Sequence, residues 1–253
     1  MGALSYPPMY THGASERKKE AEMVFGASDD VPPEHTLHPH NEQAYLGVNE
    51  APSYPRKIFF CCLRPATKGG ETPVVCNRAV TEAMQAERPE LWARLKAHGV
   101  KYVQTLKCGD PNDPMVENLG GEQTWQKLFA TTSKAEVERA CADRGYELQW
   151  QSDDSVVLSS TRQATVPESA GGRDIWFNQA SNVFSFVPCY GDGGPLEDDT
   201  LEYLNAVFWR MSVGFQWAAG DVLVCDNEMA MHARTSFEVS SPPRKIVVGF
   251  SRE

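Results

Sequence analysis

Apolar positions along the chain change rhythm several times, and the changes outline its elements. Residues 58–66, "IFFCCLRPA", form a short run rich in β-branched and aromatic side chains and read as a buried strand. "KGGETPVVCN" follows, a Gly-Gly turn leading into a second short strand. Residues 77–98 read as helical, in two pieces broken near Pro89, with Gly99 as the stop. "SKAEVERACADRG" is a cleaner helix, with Ser133 and Glu136 spaced as a capping box and Gly145 at its end. The segment 146–188 is strand-like with turn residues between, including "SVVLSS" and "DIWFNQASNVFSFV". Helical spacing returns in "DTLEYLNAVFWRMSV" (199–213), and the tail goes back to strands in "GDVLVCDNEMAMHA" and "RKIVVGFSR". The first thirty-six residues are polar and irregular. Residues 108–129 read as a long loop rich in turn residues, either a lid hinged at Gly120-Gly121 or a surface loop without a role.

Strands therefore dominate both ends, with helices inserted between them. That order predicts a mainly β fold with inserted helices, a sandwich or barrel in place of an alternating βαβ sheet. Neither a repeat nor a low-complexity linker interrupts residues 1–253, so one domain is expected.

Charge and cysteine content narrow the classes. A formal net charge of −10 and a pI near 5.1 argue against a nucleic-acid partner, because phosphate binding requires a basic face. An anionic small molecule would need a local positive site. Seven cysteines without a CxxC pair, Cys61 and Cys62 adjacent inside an apolar run, read as reduced core thiols. The first residues lack a signal-peptide-like apolar segment, and no later stretch is long enough to span a membrane. The expected setting is a soluble, reducing compartment, the cytoplasm, with no membrane partner.

The chemistry concentrates in "LHPHNEQAY" (37–45). In an extended segment residues i and i+2 share a face, so His40 and Glu42 project together. They would supply two of the three ligands of a two-histidine, one-carboxylate facial triad, the arrangement of non-haem Fe(II) oxygenases. An HxE alone is a weak signal. His38 competes with His40, and the i, i+2 spacing favours His40. For the third ligand His232, in "DNEMAMHARTSF", lies on a strand-like segment, whereas His98 belongs to a helix end. The alternative for His232 is a core histidine bonded to the backbone. Arg244 opens the apolar strand "RKIVVGF". A guanidinium there could hold a carboxylate through two parallel hydrogen bonds, or form only a surface salt bridge.

Taken in order, "LHPHNEQAY…YPRKIFFCCLRPATKGGETPVV" followed far downstream by "GDVLVCDNEMAMHARTSF…PPRKIVVGF" resembles the taurine-dioxygenase superfamily of Fe(II)/2-oxoglutarate oxygenases. Within it the chain is most similar to the clavaminate-synthase-like branch, from about residue 13 to the end and including "WFNQ" at 176–179. The resemblance implies a double-stranded β-helix, or jelly roll, with a flank before it that is short for the family. It implies iron ligation by His40, Glu42 and His232, and 2-oxoglutarate binding by Thr72 of "GGET" and by Arg244. Fe(II) is the implied cofactor, with 2-oxoglutarate and O2 as cosubstrates; succinate and CO2 leave, one oxygen atom going to succinate and the other to the product. The implied reaction is hydroxylation of a small polar metabolite such as an amino acid or its derivative, with desaturation or ring closure as variants. The retained carboxylate of Glu42 argues against halogenation. On the substrate side Trp176 and Asn178 of "DIWFNQ" are candidates, with simple core packing as the alternative for the tryptophan. Two other functions compete: a non-catalytic jelly roll keeping the site as a sensor or relic, and a zinc hydrolase. The hydrolase leaves Thr72 and Arg244 unexplained.

Overall fold

A computed structural model describes residues 19–21, 24–27, 31–45, 54–109, 124–168, 172–181 and 187–251. In chain order its elements are β1 Lys19–Ala21, β2 Val24–Gly26, β3 Leu37–His40, β4 Lys57–Arg64, β5 Val74–Cys76, α1 Asn77–Glu87, α2 Pro89–His98 and β6 Val100–Leu106. After them come α3 Trp125–Phe129, α4 Lys134–Asp143, β7 Glu147–Trp150, β8 Val156–Arg162, β9 Thr165–Pro167, β10 Asp174–Trp176 and β11 Val187–Tyr190. The last are α5 Asp198–Arg210, β12 Ser212–Val213, β13 Val222–Asp226, β14 Ala230–Arg234 and β15 Lys245–Ser251.

Two antiparallel sheets make the centre, ordered β1-β2-β15-β4-β13 and β12-β5-β14-β3. Successive strands alternate between them: β3, β5, β12 and β14 lie in one sheet, β4, β13 and β15 in the other. That exchange defines a double-stranded β-helix, as expected. A further sheet, β11-β6-β8-β7, and the hairpin of β9 and β10 are added to it.

Side-chain pattern explains most of these elements. In β4, Ile58, Phe60 and Cys62 are buried while their neighbours are partly or fully exposed. The apolar run is therefore a half-buried strand, with Leu63 open to solvent on its outer side. Its inner residues pack with Trp217, Ile246, Val248 and Phe250 in one core cluster. A second cluster joins the helices to β10 through Met84, Trp92, Leu95, Trp176, Leu204 and Phe208. The break in the helical stretch falls at Arg88, with Pro89 starting α2, where its missing N–H costs nothing. Gly99 ends that helix at φ +75°, and a Cβ there would meet the Arg162 carbonyl oxygen at 2.1 Å, so only glycine fits. Ser133 caps α4 by accepting from Glu136 N at 3.4 Å; the Glu136 carboxylate takes the Thr131 hydroxyl, so half of the reciprocal box forms.

Two expectations change, and a stretch the pattern left unassigned forms a strand. The polar opening contains β1 and β2, and β2 pairs with β15 through Phe25↔Val248. The stretch after Gly99 is a strand, β6, paired on both sides by β11 and β8. Within the stretch 108–129 predicted as a loop, Trp125–Phe129 form α3 with Thr124 as N-cap. The Gly120-Gly121 hinge lies outside the described residues.

Candidate metal centre

β14 lies between β5 and β3, and its register places His232 directly opposite His40. The two imidazoles face each other with ring centroids 4.4 Å apart at 51°. Glu42 Oε2 lies 3.4 Å from His232 Nε2 and 3.9 Å from His40 Nε2. All three residues are buried, and their ligating atoms lie within 4.8 Å of one another.

The histidines are oriented by neighbours. His40 Nδ1 lies 2.8 Å from the His38 carbonyl oxygen. A carbonyl only accepts, so Nδ1 carries the proton and the Nε2 lone pair is presented to the other two residues. Phe60 packs against the His232 ring at 5.1 Å. His38, the competing histidine, turns away from the set. Trp209 Nε1 on α5 donates to its Nδ1 at 3.0 Å, and burial lowers its pKa.

The position of Glu42 needs a different account from the one its spacing suggested. β3 ends at His40, and Glu42 belongs to the following turn at 42–45, so no shared strand face brings the carboxylate back. Buried amides do so. Asn41 Nδ2 donates to the Asn227 carbonyl at 2.7 Å, and Asn41 Oδ1 accepts from Asn178 N at 3.2 Å. Gln179 Nε2 donates to the Asn41 carbonyl at 2.7 Å, and Glu42 N donates to Asn227 Oδ1 at 2.8 Å.

This arrangement fits a metal ion. Two imidazole nitrogens and one carboxylate oxygen converge in a buried place. A buried carboxylate requires compensation, and a divalent cation shared with two neutral imidazoles provides it.

Thr72 and Arg244 line the same cleft as His40 and His232, with Leu37, Phe60 and Ile246 as apolar walls. Thr72 Oγ1 accepts from buried Trp217 Nε1 at 3.0 Å, so its own hydroxyl proton is directed elsewhere. Arg244 donates from Nε and Nη2 to the Gly70 carbonyl at 3.2 and 3.0 Å, and Phe237 covers its guanidinium at 5.2 Å. Arg234, also on the cleft wall, donates to the carbonyls of Val31, Pro32 and His35 at 3.0, 2.8 and 2.7 Å.

The two substrate-side candidates, Trp176 and Asn178, are both buried. Trp176 is fully buried, stacked edge-on against Phe208 at 5.3 Å, and is a core residue. Asn178 is buried and its carboxamide bonds to the backbone: Nδ2 donates to Ala164 O at 3.1 Å and Oδ1 accepts from Ala180 N at 2.9 Å. Its main chain bonds to Asn41, beside the turn carrying Glu42. Sequence reasoning passed over Trp217, Asn227 and Arg234. The last two stand inside "DNEMAMHARTSF" itself, where a polar residue among strand residues was the available signal.

Strands exchanged between two sheets, with a buried His-Glu-His set whose histidines line one cleft, define a jelly-roll protein with a candidate metal centre. Comparison with known proteins agrees. Residues 5–250 match the family described as taurine catabolism dioxygenase TauD, TfdA family, and the chain belongs to that family of dioxygenases. It is 29% identical over 257 residues to a clavaminate synthase-like protein of Arabidopsis thaliana, covering 96% of this chain and 73% of that one. It is 28% identical over 250 residues to the dapdiamide synthesis protein DdaC of Enterobacter agglomerans, covering 90% and 70%. Among solved structures, an asparagine oxygenase in complex with Fe(II), 2S,3S-3-hydroxyasparagine and succinate shares the fold, with a TM-score of 0.52 at 14% identity. That match covers 90% of this chain and 56% of the other, so the chain spans a little over half of that oxygenase. Among the described residues no helix is long and apolar enough to cross a membrane.

Proposed function

We propose that the chain is an Fe(II)- and 2-oxoglutarate-dependent oxygenase that hydroxylates a small polar metabolite, an amino acid or a derivative of one. The observation that carries this reading is the convergence of His40, Glu42 and His232, with both histidines on the cleft that Thr72 and Arg244 also line. The three ligands would hold Fe(II), which when bound supplies O2 activation coupled to decarboxylation of 2-oxoglutarate.

The chain's own residues do the rest. His40 and His232 present neutral nitrogens, and Glu42 supplies the single protein charge, leaving the other coordination positions to small molecules. Arg244 presents a guanidinium whose plane is set by its two bonds to Gly70 O, and it would pair with the distal carboxylate of 2-oxoglutarate. Thr72, already an acceptor for Trp217, would donate its proton to the same carboxylate. Leu37, Phe60 and Ile246 would shed water from the chain between, which strengthens each polar contact. In a protein of net charge −10, Arg244 and Arg234 meet the need for a local positive site. The amino-acid substrate class is supported by the asparagine oxygenase that shares the fold, and by the family branch.

The test is an anaerobic titration with Fe(II) and then 2-oxoglutarate, followed by assay of succinate release with a panel of amino acids. A visible charge-transfer band that appears in the wild type and is lost in His232→Ala is expected, with succinate release on adding a substrate. Iron that binds without the band would refute the cosubstrate site. A band without any succinate release would favour the sensor.

A further inference from the structure

His40 and His232 are held by the ladder between β3 and β14, but Glu42 lies beyond the end of β3. Its main chain is gripped by one side chain, 185 residues away in sequence. Asn227 Oδ1 accepts from Glu42 N at 2.8 Å, and Asn227 Nδ2 donates to Glu42 O at 3.0 Å. The carboxamide therefore pairs with both polar groups of the residue, as a strand partner's peptide would. The same Nδ2 donates to Pro55 O at 2.8 Å, and Asn227 N donates to Arg56 O at 2.8 Å. Asn227 O accepts from Asn41 Nδ2, and the whole residue is inaccessible to solvent. Asn227 follows the last residue of β13 and stands five residues before His232. It thus ties the turn bearing the carboxylate to the β13–β14 connection that leads into the histidine strand.

We infer that Asn227 is a positioning residue for the metal centre: its carboxamide sets the place of the Glu42 carboxylate relative to His40 and His232, and so sets affinity for the ion. The inference rests on the reading of those three residues as iron ligands. A ligand carboxylate on a turn is as well placed as the turn itself, and loss of such supporting contacts typically weakens metal binding by about 10- to 100-fold.

The experiment measures Fe(II) affinity of the full chain, anaerobically and without cosubstrate, by competition with a chromophoric chelator. Wild type is compared with Asn227→Ala, Asn227→Asp, His232→Ala and a stability control, Thr81→Ala. Thr81 is buried, and its hydroxyl bridges Asn77 O and Trp176 N at 2.8 and 2.9 Å without touching the ligand set. Asn227→Asp keeps the volume and an acceptor for Glu42 N but sets an oxygen against two carbonyl oxygens, so it stands in should the alanine variant fail to fold. The expected result is about 10- to 100-fold weaker Fe(II) binding in the Asn227 variants. Thr81→Ala is expected to melt lower with unchanged affinity. Wild-type affinity in a folded Asn227 variant, or a loss matched by Thr81→Ala, would overturn the inference while leaving the ligand assignment standing. Equal binding by wild type and His232→Ala would overturn the assignment itself, and the inference with it.

Discussion

Thr72 and Trp217 allow the proposed cosubstrate pocket to be tested by a single hydroxyl. Thr72 is buried, and its Oγ1 accepts from the buried indole N–H of Trp217 at 3.0 Å. Thr72→Val preserves shape and removes two interactions at once. The bond to a carboxylate is charge-assisted and worth about 1.5–3 kcal/mol, so affinity for 2-oxoglutarate should fall roughly 10- to 150-fold. The orphaned indole N–H should cost about 1–3 kcal/mol of stability. For a chain of this size that is a drop of roughly 2–12 °C in melting temperature. Trp217→Phe separates the two effects. It leaves the hydroxyl but removes the donor that orients it, a neutral bond of about 0.5–1.5 kcal/mol, so affinity should fall only about 2- to 12-fold. The assay is a titration of the Fe(II)-loaded variants with 2-oxoglutarate, followed by the chelate band, beside thermal unfolding of the same samples. A Thr72→Val protein that melts lower yet binds 2-oxoglutarate as wild type does would refute the hydroxyl's role and leave Thr72 as a partner of Trp217 alone.

Arg244→Lys keeps the charge but loses the two-point anchor on Gly70 O, and should raise the 2-oxoglutarate requirement by about tenfold with kcat little changed; an unchanged requirement in steady-state kinetics would count against pairing with the cosubstrate. Glu42→Ala should abolish iron-dependent succinate formation while circular dichroism stays native, and wild-type turnover would sink the ligand set. Glu168, its side chain 1% exposed, pairs with Arg78 and Arg173 and ties the β9–β10 hairpin to α1. Arg78→Ala strands part of a buried charge and should cost roughly 3 kcal/mol in chemical denaturation, whereas Glu168→Ala leaves two solvated arginines and should cost less; the reverse order would be contrary evidence. Burial pushes the thiols of Cys141 and Cys225 up to about 11 and raises that of Cys62, so at pH 8 a disulfide reagent should label exposed Cys76 and Cys108 first and all seven cysteines only after denaturation. Rapid labelling of all seven in the native protein would contradict the packing.

The elements that could be read from sequence are those whose own residues determine them. The β4 run, the Pro89 break, the Gly99 stop and the Ser133 cap each follow from local chemistry, and the structure keeps all of them. β1, β2 and β6 were not legible, because their partners are distant: β2 is completed by β15 and β6 by β8 and β11. The metal centre divides along the same line. His232 stood on a recognisable strand, and the order of motifs along the chain named the set. The reason that Glu42 joins His40, however, was misread as strand periodicity. The strand stops at His40, and any reading confined to "LHPHNEQAY" ends there too. What returns the carboxylate to the histidines is a carboxamide pairing between Glu42 and Asn227, a contact across 185 residues that periodicity cannot encode. The same contact makes the centre depend on the β13–β14 connection, so a substitution at Asn227 that still folds should weaken the iron's binding.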